Sequence, residues 1–156
     1  MPKLIEVRSW LPEHHSGQKS ATLGGHVLPS EVGATLQAEW RILCLAPAQW
    51  LLIAEQSPPE PAEPGLVLTD ATGAFAVLEV RGVLARDLLS KSCGLDFEPR
   101  TFPLGRCART RLAQALVIVD CVDDEPRFDL YVPRSYRRFV SDWLEDAAVE
   151  FSGSLP

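Results

Sequence analysis

The sequence is short of reactive groups. It has three histidines, His14, His15 and His26, all within the first 30 residues. A serine or cysteine nucleophile needs an oriented base beside it, most often histidine, and the rest of the chain offers none. The four cysteines, Cys44, Cys93, Cys107 and Cys121, form no Cys-x-x-Cys pair and have no histidine close in sequence. That removes the usual signature of a structural zinc site and leaves reduced, mostly buried thiols. There is no Gly-x-Gly-x-x-Gly or Walker-type loop, and Gly24-Gly25 precedes no phosphate-binding helix, so nucleotide cradling by this chain alone is not expected. No run of 18 apolar residues occurs, and MPKLIEVRSWLPEHHSG lacks the apolar centre of a signal peptide; a cytoplasmic location is the expectation. Positive charge is scarce too. Fifteen Lys and Arg against 21 Asp and Glu give a net charge of −6, which disfavours non-specific binding to nucleic acid or anionic membranes.

What remains is ordinary globular material. With 156 residues, 46% apolar and 23% charged, the chain can bury one real core. Residues 1–30 are rich in Gly, Ser, Pro and His and show no sustained period. They read as an extended arm that orders against a partner, with Trp10 and Leu11 as its strongest anchors. Residues 31–156 read as a single α+β domain. Val32, Ala34, Leu36 and Ala38 alternate as a half-buried strand does. Two apolar runs, 42–46 and 50–54, flank Pro47-Ala48-Gln49 and predict a hairpin. The proline-rich acidic segment 56–65 is a surface loop. Strands are expected at 66–69 and 74–81, broken at Asp70-Ala71-Thr72-Gly73. A helix follows Gly82, with Leu84, Ala85, Leu88 and Leu89 on one face and Gly94 as its stop. Strands 106–113 and 115–122 come next, then RFDLYVP beyond the acidic turn Asp123-Asp124-Glu125. That turn reads as a solvated hairpin tip rather than an oxygen cage for a metal. From 31 onward the order is β-ββ-ββ-α-βββ-α, which predicts a mainly antiparallel sheet with two helices.

The last helix shows the clearest period. Tyr136, Phe139, Val140, Trp143, Leu144, Ala147 and Phe151 form one apolar stripe, with Ser135 as the expected cap. Its charges run against the helix macrodipole. Arg134, Arg137 and Arg138 lie at its start and Glu145, Asp146 and Glu150 toward its end, an arrangement costing roughly 0.3–1 kcal/mol per exposed charge. One i,i+4 pair, Arg138 with Asp142, offsets only part of this. The arginines therefore face either a partner or nearby loops of the same chain. The segment CARTRLAQALVIVDCV poses the same choice. On a regular strand Arg109 and Arg111 share a face, with Arg106 on the other, and they read either as a solvent-facing edge or as a partner contact. Trp10 and Trp50 read either as core or as interface aromatics. The candidate partner contacts are thus Trp10, Trp50, Arg106, Arg109, Arg111, Arg134, Arg137 and Arg138, with no catalytic, cofactor-binding or metal residue.

From Leu66 to Gly153 the chain resembles the gamma subunit of heterotetrameric sarcosine oxidase. The likeness is carried by CGLDFEPRTFPLGRCARTRLAQALVIV and FDLYVPRSYRRFVSDWLEDAAVEF. The hairpin RILCLAPAQWLLIAE keeps the family's proline and tryptophan but loses its glycine and acids, and Gly82-Val83 stands where Gly-Pro is common. The resemblance implies a fold like part of the folate-binding domain of the glycine-cleavage T-protein. It also implies a place beside alpha, beta and delta subunits in a complex that demethylates sarcosine to glycine, passing the one-carbon unit to tetrahydrofolate. FAD, FMN, NAD, tetrahydrofolate and zinc would then belong to the partner subunits, with none on this chain. The alternatives are a stand-alone folate-binding module or a gamma-type subunit acting on another N-methyl amino acid.

Overall fold

A computed structural model describes residues 1–61 and 63–153. The chain divides into two compact units at Gly73, inside the Asp70–Gly73 break and not at residue 30.

The first unit carries β1 (Lys3–Ser9), a single helical turn α1 (Pro12–His15), β2 (Thr22–Leu23), β3 (His26–Val27), β4 (Thr35–Gln37), β5 (Arg41–Ala46), β6 (Gln49–Ala54) and β7 (Leu66–Asp70). Five of these strands form a sheet in the order β4-β5-β6-β1-β7, with every pair antiparallel. The arm expected over 1–30 is therefore corrected at its first element. Strand β1 lies inside the sheet, hydrogen-bonded to β6 on one side and β7 on the other. Its signal was weak because Leu4 and Ile5, on opposite faces, are both buried, so the polar half of the alternation is missing. Residues 10–30 are tied down as well. Ala21, Leu23 and Leu28 join Ile42, Cys44, Trp50 and Leu52 in one apolar core. The Gly24-Gly25 pair makes the two-residue turn between β2 and β3, with φ of 55° and 81°. Two positive φ values are what the type I′ hairpin turn requires.

The second unit carries β8 (Phe75–Arg81), α2 (Ala85–Ser92), β9 (Cys107–Leu112), β10 (Ala115–Asp123), β11 (Arg127–Pro133), a 3₁₀ turn (Arg134–Tyr136) and α3 (Arg137–Ser152). Its strands form an antiparallel sheet in the order β8-β11-β10-β9. One face of the sheet presents Val117, Val119, Phe128, Leu130 and Val132 to a core shared with Ala85 and Leu89 of α2, Val140 and Leu144 of α3, and Phe97 and Phe102 of the connecting loop. The α+β class, the antiparallel pairing and the element order after residue 31 match expectation, but the strands divide between two main sheets where one was expected.

Local details differ. Helix α2 ends because Cys93 turns extended, with φ −149° and ψ 163°; the expected left-handed Gly94 is absent from the positive-φ residues. Ser135 is not a cap. It lies in the 3₁₀ turn, and α3 begins after Tyr136 with no side-chain cap bond. The turns β5–β6 and β9–β10 lack glycine, and Ala48 and Ala113 take positive φ of 57° and 49° instead. Such a conformation costs an L-residue roughly 1–2 kcal/mol. Backbone bonds hold both sites: Ser9 N–H donates to the Ala48 carbonyl at 3.0 Å, and Ala113 N–H to the Ser92 carbonyl at 3.1 Å. No helix among the described residues is long and apolar enough to cross a membrane.

Candidate functional site

In the first unit His14 and His15 lie beside the end of β1. His14 is buried, and its Nδ1 is 2.6 Å from Ser9 Oγ. Its Nε2 stands 3.2 Å from Glu63 Oε1 without hydrogen-bond alignment. His15 donates from Nε2 to the Ser9 carbonyl at 2.7 Å. A serine, a histidine and an acid in line invite comparison with a nucleophilic triad. The surroundings argue for a structural clasp. Ser9 is itself buried, and its Oγ accepts the Leu11 N–H at 3.2 Å. Glu63 is held by the Lys19 ammonium at 2.9 Å and by the N–H and hydroxyl of Thr22 at 2.9 and 3.1 Å. The Lys19 contact first, then the Thr22 N–H, pull the Glu63 carboxyl down to about 2. These bonds fasten residues 10–22 to the loop before β7. Sequence reading placed His14 and His15 on a loose arm; a spacing of five residues between Ser9 and His14 carries no signal that a turn will bring them together.

The same clasp exposes Trp10. Trp10 N–H donates to the Gly65 carbonyl at 3.2 Å. Gly65, at φ +93°, leaves room for Leu11, whose Cγ would stand 2.5 Å from a Cβ there. With Leu11 seated inward, Trp10 turns out and is 72% exposed. It borders a shallow depression of about 500 Å³ with Arg8, Ser9, Val67 and Thr69. Strand β7, the edge of its sheet, supplies Val67 and Thr69. Trp50 is different: it is buried, and its indole N–H donates to the Pro29 carbonyl at 2.7 Å. The expectation that Trp50 meets a partner is corrected; it closes the core under residues 21–30.

In the second unit Arg109 and Arg111 are exposed on β9, across from Ile118 and Leu116 of β10. They share a face as expected, and Cys107 on that face is buried. Arg106 lies half-buried before the strand, its carbonyl accepting the Cys121 N–H at 2.9 Å. Arg134 donates from Nη2 to the Phe75 carbonyl at 3.0 Å, so its side chain serves its own unit. Arg138 makes the anticipated pair with Asp142, at 3.7 Å and almost fully in solvent. Arg137 is exposed at the first residue of α3. Because β9 and β8 are opposite edges of the sheet and Arg134 is bonded to β8, the two arginine groups do not meet in one site.

The thiols are held inside. Cys44, Cys107 and Cys121 are buried and Cys93 is half-buried, all unbridged. Burial first, then Glu31, pushes the Cys44 thiol up to about 11. Among the described residues no three His, Cys, Asp or Glu side chains converge as metal ligands. The residue that sequence reading missed altogether is Arg86 of α2. It reaches the carbonyls of Phe97 and Phe102 and lies over the Phe128 ring, 5.2 Å from its centroid.

Comparison with known proteins decides the family. The family described as sarcosine oxidase, gamma subunit family, matches residues 20–150. This chain belongs to the sarcosine oxidase gamma subunit family. Sarcosine oxidase subunit gamma of Corynebacterium sp. strain U-96 is 32% identical over 150 residues, covering 90% of this chain and 71% of that protein. The subunit gamma of Corynebacterium sp. strain P-1 is 32% identical over 139 residues, covering 82% of this chain and 67% of that protein. Among solved structures, heterotetrameric sarcosine oxidase from Corynebacterium sp. U-96 in complex with pyrrole 2-carboxylate is similar to this gamma-family chain. It superposes with a TM-score of 0.83 at 26% identity, covering 97% of this chain and 81% of that one.

Proposed function

We propose that this chain is the gamma subunit of a heterotetrameric, flavin-dependent sarcosine oxidase, and that it acts in assembly. The family match over residues 20–150 carries the reading. The geometry supports it from another side. Ser9, His14 and Glu63 are engaged in holding residues 10–22, while Trp10, Arg109, Arg111 and Arg137 stand out in solvent. Buried reactive groups and exposed aromatic and guanidinium groups suit docking better than chemistry. On this reading alpha, beta and delta subunits bind FAD, FMN, NAD, tetrahydrofolate and zinc. They oxidise sarcosine to glycine and pass the one-carbon unit to tetrahydrofolate.

The test is co-expression of the tagged chain with the alpha, beta and delta subunits of its own source organism. A stable four-chain complex with sarcosine-dependent peroxide formation is expected. Tight tetrahydrofolate binding by the isolated chain in isothermal titration would favour a stand-alone folate module instead, and a failure of the four chains to associate would overturn the assembly role.

A further inference from the structure

The outer edge of β9 is open where it carries two arginines. β9 ends its sheet, paired with β10 alone. Cys121 N–H donates to the Arg106 carbonyl at 2.9 Å, and Gly105 N–H to the Cys121 carbonyl at 3.2 Å. Bonded positions alternate along an antiparallel pair. Ala108 and Thr110 therefore bond to β10, and the N–H and C=O of Arg109 point away from it. The far end of the edge is covered: Ala113 N–H donates to the Ser92 carbonyl at 3.1 Å, and Cys93 bridges to Leu112. At Arg109 no group among the described residues closes it.

The side chains there are unmatched as well. Arg109 and Arg111 share one face, about 7 Å apart along the strand, and both are exposed. Neither guanidinium makes a hydrogen bond or ion pair among the described residues, although the chain has 21 acids to 15 bases. By contrast, Lys19, Arg81, Arg127 and Arg138 each meet a carboxylate of this chain. Across the ladder from the two arginines stand Ile118 and Leu116, and Tyr131 lies beyond Ile118. The acid on the adjoining rung, Asp120, is in register with Cys107 and fully buried. Like charges side by side repel, and no acid among the described residues pairs with these two.

Backbone and charge together select the occupant. An open edge takes an extended strand, whose own donors and acceptors run in the matching row. Charged side chains on an edge discourage neutral strands, and arginines discourage basic ones. They also discourage a second copy of β9, which would bring the same charges against them. An acidic strand is the one they favour. We infer that the edge of β9 receives an extended acidic segment of one of the larger subunits of the oxidase complex, with two carboxylates spaced two residues apart, one on Arg109 and one on Arg111. That spacing puts both carboxylates on the face the arginines share, and a guanidinium can hold each through two parallel bonds. This rests on the gamma-subunit reading above.

The experiment uses the full-length chain co-expressed with the alpha, beta and delta subunits and recovered through a tag on alpha. Arg109→Glu and Arg111→Glu each lower the fraction of this chain retained, relative to wild type, by at least about tenfold. Arg109→Gln and Arg111→Gln, which remove charge without reversing it, lower retention severalfold. Arg81→Glu, which makes the same charge change at an exposed position on the opposite edge strand β8, leaves retention unchanged. Hydrogen exchange over residues 107–111 is slower in the complex than in the isolated chain. Circular dichroism melts of the purified variants separate lost docking from lost folding, and the glutamine variants keep the test decisive if a glutamate variant unfolds. If wild type is retained and the folded variants are retained equally, the edge assignment is overturned while the gamma reading stands. A loss for Arg81→Glu as large as for Arg109→Glu, or unchanged exchange over 107–111, overturns it as well. If wild type itself is not retained, the gamma reading fails and the assignment fails with it. If inorganic phosphate binds the isolated chain, Arg109→Gln abolishes that binding and retention still holds, a small anion is the occupant and the assignment is overturned. If the isolated chain sediments as a dimer that Arg109→Glu dissolves, a second copy is the occupant and the assignment is overturned.

Discussion

The guanidinium of Arg86 donates from one nitrogen, Nη1, to the Phe97 carbonyl at 2.6 Å and to the Phe102 carbonyl at 2.8 Å. Both acceptors belong to buried aromatic residues in the loop between α2 and β9. The side chain therefore fastens a loop that carries two prolines and no strand or helix to the helix before it, while its plane lies over Phe128. The loop's shape depends on a cation from elsewhere in the chain.

Replacing Arg86 with alanine leaves those two buried carbonyls unsatisfied, and the expected loss is about 2–4 kcal/mol of stability. Arg86→Lys recovers only part, since an ammonium keeps the charge but loses the planar fork and its stacking. Urea unfolding followed by far-ultraviolet circular dichroism measures both; an Arg86→Ala midpoint equal to wild type would contradict the loop-fastening role.

Glu63 predicts a particular acid sensitivity. Its folded carboxyl titrates at about 2, below its ordinary 4.5. A lowered carboxylate adds stability that is fully present above the unfolded value and fades as pH falls toward the folded one. The clasp around His14 should therefore weaken between pH 4.5 and about 2. Glu63→Gln should be less stable at neutral pH, and its stability should fall less steeply in that window. Parallel slopes for the two proteins, in denaturant melts at several pH values, would refute the assignment.

The two tryptophans predicted as interface residues should separate cleanly. Trp50→Ala removes a buried ring and leaves the Pro29 carbonyl without its indole donor, at an expected cost of about 3–5 kcal/mol. Trp10→Ala should change stability by no more than about 0.5 kcal/mol, as for other surface positions, yet weaken retention in the co-expressed complex. Equal thermal shifts for the two variants would mean that Trp10 is not the exposed residue described.

The cysteines should be slow to react while the chain is folded. Burial is the leading cause raising Cys44, Cys93 and Cys121, and for Cys121 it outweighs the nearby Arg86 guanidinium. A raised, buried thiol is neither ionised nor accessible. Ellman's reagent at pH 8 should label half-buried Cys93 first and all four cysteines rapidly only in denaturant. Rapid labelling of all four in buffer would show that these thiols are not enclosed.

Much of the second unit was legible before any coordinates. The two helices declare themselves by their 3.6-residue stripe and β11 by the alternation of Phe128, Leu130 and Val132, whereas β10, buried on both faces over 117–121, shows as a dense apolar run. The hairpin around Pro47 was legible from the two apolar runs that flank it, together with proline's inability to donate a ladder bond. The first 30 residues were not. β1 is buried on both faces, β2 and β3 are two residues each, and α1 is one turn, all too short or too uniformly apolar to show a period.

The candidate site divides along the same line. Amino-acid order was enough to establish an acidic, mainly antiparallel α+β chain, to pair Arg109 with Arg111 on one face, and to show that α3 is amphipathic. Those properties depend on near neighbours and on side chains repeating every two or 3.6 residues. Only the folded chain decided that Trp10 faces solvent while Trp50 is enclosed, that His14 lies between Ser9 and Glu63, and that Tyr136, Phe139 and Trp143 of the α3 stripe are left exposed. Each depends on which distant segment arrives to cover a side chain, and local sequence does not encode that.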